Sequence, residues 1–231
     1  MPKPFVVAFV VGVTPGKWAR AWELRMPAAP LTLLPLGQLA ALAALADGTV
    51  DVALIRLPVA NPELAIIALY AEQPVVVASK GHALEAVDIV TLAELAEFAI
   101  VAAVNDDAGW TAAVELAAAN VGVAVMPQSV ARAHSRKDVT ARPIADAPET
   151  HIALVWPTER TTAAVDEFIG IVRGRTANSS RGAQPEPEVT PPATAAKSTA
   201  RPARTGTGGA PKRGGRTTKP KPKPKLRGRK R

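Results

Sequence analysis

Few residues in this chain have the types and spacing that chemistry needs. The string Gly12-x-x-x-Gly16-Lys17 invites comparison with a phosphate-binding loop. It is one residue too short, and Trp18 stands where a Ser or Thr would hold magnesium. Thr14 is a better candidate. It sits where a helix should begin, and free N–H groups with a positive dipole end can hold a carboxylate there. A Thr at that position also serves simply as a helix cap, so both roles stay open. Arg56 closes an apolar strand, where ligands of open α/β sheets bind. Its guanidinium can pair bidentately with a carboxylate or form an ion pair within the protein. Gln128 follows Pro127 at the exit of another apolar strand and is the third ligand candidate, beside the plainer reading of a turn and helix start.

Catalytic and metal chemistry find no pattern. Cysteine is absent, and His82, His134 and His151 have no metal-ligand spacing. No H-E-x-x-H or G-x-S-x-G string occurs, and no strand-then-helix glycine fingerprint with a downstream acid. Asp106-Asp107 reads as helix capping, and Trp110 as core or as a cover over a small lobe. The expectation is a non-enzymatic protein without cofactor or metal.

The elements that must position these residues follow from hydropathy. FVVAFVVG at 5–12 reads as a central strand buried on both faces. The apolar start after Lys3 has no small-residue cleavage site behind it, so it is not read as a signal peptide. Thr14-Pro15 should open a helix to about Met26. Leu31 to Leu36 is a strand, and Gln38 to Ala46 a helix with Leu39, Leu42 and Leu45 as one apolar stripe. Gly48 ends it, and Val50 to Leu57 is a third strand. This β-α-β-α-β order predicts a parallel sheet with right-handed crossovers. Strands at 64–69, 74–78, 99–104, 121–125, 139–145 and 152–156 follow. Thr91-x-x-Glu94 is a capping box. Asp106 or Asp107 starts a helix that Asn120 ends in the left-handed conformation. Thr161 or Thr162 starts the last helix, with Val165, Phe168, Ile169 and Val172 buried, and Gly174 ends it.

Charge divides the chain sharply. Residues 179–231 hold 15 Lys and Arg against two acids, a net of +13, whereas residues 1–178 hold 13 against 18, a net of −5. The tail also has nine prolines, no aromatic residue and almost no large aliphatic one. It cannot bury enough apolar surface to offset chain ordering and is expected to be disordered. Lys212, Arg213, Arg216, Lys219, Lys221, Lys223, Lys225, Arg227, Arg229, Lys230 and Arg231 are its expected phosphate contacts. Without aromatic stacking or an ordered reader, binding to nucleic acid should be weakly sequence-specific. No apolar run approaches the ~18 residues of a membrane span. No membrane partner is therefore expected, and the chain is placed in the cytoplasm, with nucleoid association through the tail.

Several strings in order resemble the effector-binding (substrate-binding) domain of LysR-type transcriptional regulators. They are the opening strand with Thr14 at the next helix start, LADGTVDVAL at 45–54, and Leu69-Tyr70-x-Glu72 before PVVVA. His82-Ala-Leu84, VTLAELAE at 90–97 and ELAAANVGVAVMPQSVA at 115–131 complete the set. The resemblance spans about residues 5–173. It implies a two-lobed α/β fold like that of periplasmic binding proteins, with a small effector, expected to be anionic, in the cleft. Lobe I is expected over about 3–79 and 152–174, and lobe II, shortened, over about 80–151. The strands at 74–78 and 152–156 are expected where the chain changes lobes, with the tail beginning at 179. The sequence departs from the family in three places. Its first strand begins at Phe5 with no helix-turn-helix before it, the second lobe is short, and Asn120 replaces a usual glycine. The resulting expectation is a ligand-sensing domain that associates nonspecifically with DNA through its tail, with a homodimer left open. The rival is a scaffold with a closed cleft whose tail binds RNA, the ribosome or an acidic protein.

Overall fold

The computed structural model describes residues 3–101 and 107–174. The chain opens with β1 (Phe5–Phe9), α1 (Gly16–Arg25), β2 (Leu31–Pro35), α2 (Gln38–Asp47) and β3 (Val52–Arg56). It continues through β4 (Leu64–Glu72), β5 (Pro74–Ser79), α3 (Leu92–Leu95), β6 (Ile100–Val101) and α4 (Asp107–Ala118). It closes with β7 (Val123–Pro127), α5 (Gln128–Ala133), β8 (Val139–Pro143), β9 (Thr150–Pro157) and α6 (Ala163–Val172). The strands form two sheets, β2-β1-β3-β9-β4 and β6-β7-β5-β8. β1 pairs in parallel with both β2 and β3, as the alternation of strands and helices requires. β9 returns antiparallel between β3 and β4 and joins the last segment to the first lobe.

Each lobe has its own core. In the first, Phe5 stacks on Trp22 of α1 with centroids 4.6 Å apart, and Phe168 of α6 closes on Phe5 at 5.6 Å. In the second, β5 is buried on both faces, and its period of two divides it. Val75 and Val77 pack with Trp110, Val114 and Met126, whereas Val76 and Ala78 pack with Leu84, Leu95 and Ile144. Element ends follow local chemistry. Thr91 and Glu94 form the reciprocal capping box. Thr162 caps α6 through the Val165 N–H, leaving Thr161 to accept from the Trp156 indole at 3.0 Å. Asn120 adopts φ 57°, the left-handed geometry that its short polar side chain tolerates.

Four expectations change. The strand at 74–78 belongs to the second sheet, where β5 lies between β7 and β8. β5 is hydrogen-bonded along both edges there, whereas in the first sheet, which ends at β4, it would have been an edge strand. The chain therefore changes lobes at Gln73, not after residue 79. The backbone there is held from the second lobe, by Gln128 N–H on the Gln73 carbonyl and Ile144 N–H on that of Pro74. β4 is longer than 64–69 and reaches Glu72, with a register shift between Ala68 and Tyr70. Thr14 makes no capping bond, because α1 begins at Gly16 with Pro15 as its N-cap. Leu39 does not join the stripe of Leu42 and Leu45: it is 82% exposed, while Ala41 and Leu45 are buried. Steps of three residues fall about 60° short of a full turn, so two steps carry Leu39 off the face that Leu45 occupies. The tail cations and Asp106 lie outside the described residues.

An apolar interlobe cleft with a buried ion pair

A cavity of about 490 Å³ lies between the lobes. Val10, Val11, Leu36, Gln38, Arg56 and Leu57 form its first-lobe wall. Leu92, Trp110, Val125, Met126 and Pro127 face them from the second lobe, and Thr150 stands where the chain returns. A larger depression of about 890 Å³ opens on the first lobe alone, between α2, the segment 58–64 and the turn after β9. The cleft is the better candidate site, because a molecule there touches both lobes.

Arg56 ends β3 with its side chain buried against this wall. Its Nε donates to Glu72 Oε2 at 2.8 Å and its Nη2 to Glu72 Oε1 at 3.3 Å. Nη2 also donates to the Val11 carbonyl at 2.8 Å and to Ser129 Oγ at 3.0 Å. The Ser129 hydroxyl donates to Glu72 Oε1, closing the ring. The side chains of Arg56 and Glu72 are only 11% and 4% exposed, so water screens the pair little. The cluster joins β3 and β4 of the first lobe to α5 of the second. It also fixes Gly12, whose φ is +88°. A Cβ there would run into Ser129 Oγ and come within 3.0 Å of Arg56 Nη2. The Arg56 backbone is held as well, because its N–H donates to Gln38 Oε1 at 3.1 Å while Gln38 Nε2 donates to its carbonyl at 2.9 Å.

The three sequence candidates separate. Arg56 reaches the cleft wall, but as the cation of an internal pair and not as a free carboxylate binder. Thr14 is exposed and does not line the cavity. Gln128 starts α5, half-buried; its N–H holds the lobe crossing and its side chain does not line the cavity either. Trp110 is buried in the second-lobe core, one of the two roles considered for it, and it also lines the cleft. Sequence reasoning gave no site role to Glu72, Ser129, Gln38 or Thr150, and weighed Gly12 only within a phosphate-binding loop that it set aside. Glu72 carried a signal, as an acid ending a mostly apolar strand directly before a fully apolar one.

Other polar groups refine the site. Burial pushes the phenol of Tyr70 above its ordinary value, the Glu72 carboxylate pushes it further, and Arg56 opposes. Asp107 lies at the cleft and approaches His134 Nε2 at 3.3 Å. The Thr150 hydroxyl oxygen is buried without a hydrogen-bond partner among the described residues. Among those residues no cluster of three His, Asp or Glu is placed to hold a metal. No helix among them is long and apolar enough to cross a membrane.

Solved structures share this fold. The regulatory domain of OxyR from Pseudomonas aeruginosa, in a mutant form, superposes with a TM-score of 0.59 at 16% identity, over 75% of this chain and 97% of that one. A mutant of Corynebacterium glutamicum OxyR gives 0.62 at 18% identity, over 74% of this chain and 62% of that one. CbnR, solved in complex with its target DNA, gives 0.59 at 19% identity, over 74% of this chain and 70% of that one. No curated protein matches the sequence. The model of the LysR substrate binding domain matches residues 16–111 and 108–177. With the two sheets, the double lobe crossing and the cleft between them, that match places the chain in the LysR substrate-binding domain family.

Proposed function

We propose that this chain senses a small effector in the interlobe cleft, as a non-catalytic element of transcription regulation, and associates with DNA through its basic tail. The observation that carries the sensing half is the cleft itself. Its walls come from different lobes, so a ligand there changes the free energy of one lobe arrangement relative to another. An open cavity of about 490 Å³ also argues against a closed, empty scaffold. The tail supplies what the folded body lacks. Residues 1–178 carry a net charge of −5 and would be repelled by phosphate, whereas residues 179–231 carry +13.

Filter binding to duplex DNA across a salt series tests the tail. Full-length protein should bind, with log affinity falling linearly in log salt at a slope of about −5 to −8 if roughly half the tail cations engage. A chain ending at Asn178 should not bind, and scrambling residues 197–231 should change little. Equal binding by the truncated and full-length chains would remove the tail from the mechanism. A marked preference for RNA over DNA would favour a scaffold or ribosome partner instead.

A further inference from the structure

The chemistry of the cleft wall points away from a small anion. Its arginine is already neutralised, since Glu72 takes Nε and Nη2 of Arg56, and Val11 and Ser129 take what remains of Nη2. The other charged residue on the wall is an acid, Asp107. The cleft therefore offers no uncompensated positive charge among its described residues, and the rest of its lining is predominantly apolar. An anion entering it would lose its hydration without gaining a counter-charge, a heavy cost in an apolar site. One polar position remains unused. Among the described residues Arg56 Nη1 has no hydrogen bond within the chain. Arg56 lines the cavity. Resting on the effector-sensing reading, we propose that the cleft takes an uncharged molecule. Its apolar body packs on Trp110 and Met126, and one carbonyl or hydroxyl oxygen accepts from Arg56 Nη1.

The ion pair sets this preference. With Glu72 ionised and bound, Arg56 presents a donor without net charge behind it. Replacing Glu72 by Gln keeps the shape and leaves the guanidinium uncompensated, which turns the same wall into a carboxylate site.

Methyl-labelled methionine supplies the reporter. The chain has three methionines; Met126 lines the cleft, and Met26 packs against the first-lobe core away from it. Full-length protein is titrated with matched pairs of small molecules, headed by benzamide and benzoate, while the Met126 methyl resonance is followed. Neutral members should shift Met126 saturably, at least about tenfold more tightly than their carboxylates, a difference of about 1.4 kcal/mol. Met26 should stay still. Glu72→Gln should reverse the order within each pair. Carboxylates that bind wild-type protein as well as or better than their neutral partners would overturn the inference and leave effector sensing standing. If no member of either series moves Met126, the effector-sensing reading itself fails. The wild-type comparison decides the question even where the Glu72 variant does not fold.

Discussion

Removing either member of the Arg56–Glu72 pair should cost far more than removing both. At an effective dielectric near 20, charges about 4 Å apart attract by about 4 kcal/mol. Burying them costs several kcal/mol per ion, so the intact pair contributes little net stability. The asymmetry appears when one partner goes. Glu72→Leu leaves a guanidinium that is 11% exposed with only the Val11 carbonyl and Ser129 hydroxyl as acceptors. Arg56→Met leaves a carboxylate that is 4% exposed with only the Ser129 hydroxyl donating to it. Each single change should cost about 3–5 kcal/mol, a large part of the 5–15 kcal/mol typical of a whole domain. The double change Arg56→Met/Glu72→Leu should cost less than about 2 kcal/mol, because no charge stays buried and the volume is kept. Urea unfolding of all four proteins, followed by tryptophan fluorescence, completes the cycle. With a slope of about 2 kcal/mol per M, each single variant should lose about 1.5–2.5 M in midpoint. Single variants within about 1 kcal/mol of wild type would mean that water reaches the pair and the burial argument is wrong. So would a double variant whose cost equals the sum of the singles.

Two further outcomes follow from the same cluster. Gly12→Ala should destabilise by about 2 kcal/mol or more, since it combines a positive φ with a collision at Ser129. Gly12→Ala should cost less in a Ser129→Gly background than in wild type in the same urea assay, because the collision is gone; an equal cost in both backgrounds would show that backbone strain carries the whole effect. Tyr70 is the only tyrosine in the chain, so its tyrosinate absorbance is a clean titration. Its phenol should ionise above the ordinary pH of about 10. A folded pKa raised above the unfolded one means that this contribution is intact below pH ~10 and is lost as pH climbs through the folded value. Glu72→Gln should bring the titration down, because the carboxylate helps to hold it up.

The parts of the fold that were legible in the sequence are those that repeat a local rule. β1, β3 and α6 follow from runs of apolar residues with the right period, and Thr91, Glu94 and Asn120 from end chemistry that needs no tertiary partner. The lobe assignment of β5 was not legible, because PVVVA describes a strand buried on both faces equally well in either sheet. Only the availability of two open edges, at β7 and β8, decides it. The site divides in the same way. Arg56 was visible from its place at a strand end. Its charge state in effect was not, because Glu72 is 16 residues away and Ser129 is 73 away. A charged residue read alone suggests an opposite charge from outside, and the fold had already supplied one from inside.

The position of that internal pair says what it does for the cleft. Glu72 ends β4 one residue before the crossing at Gln73, and Thr150 begins the return strand opposite it in register. The second crossing is tied to the end of β3, where Leu57 N–H donates to the His151 carbonyl. The Arg56 cluster therefore sits where the two connections between the lobes come together, with Ser129 of α5 as its contact from the second lobe. On the effector-sensing proposal, this polar network is the part of the interlobe contact that stays fixed, whereas apolar walls formed by residues such as Leu36 and Leu92 can part without leaving a buried charge unpaired. A ligand that bridges these walls has to supply only the difference in contact between open and closed arrangements, and it does not have to break the ion pair to enter. Ligand binding should then change the spacing of the walls while Tyr70, which reports the cluster through Glu72 and Arg56, keeps its titration. A Tyr70 pKa that shifts when a neutral probe saturates Met126 would place the moving contact at the cluster itself, and this division of roles would be wrong.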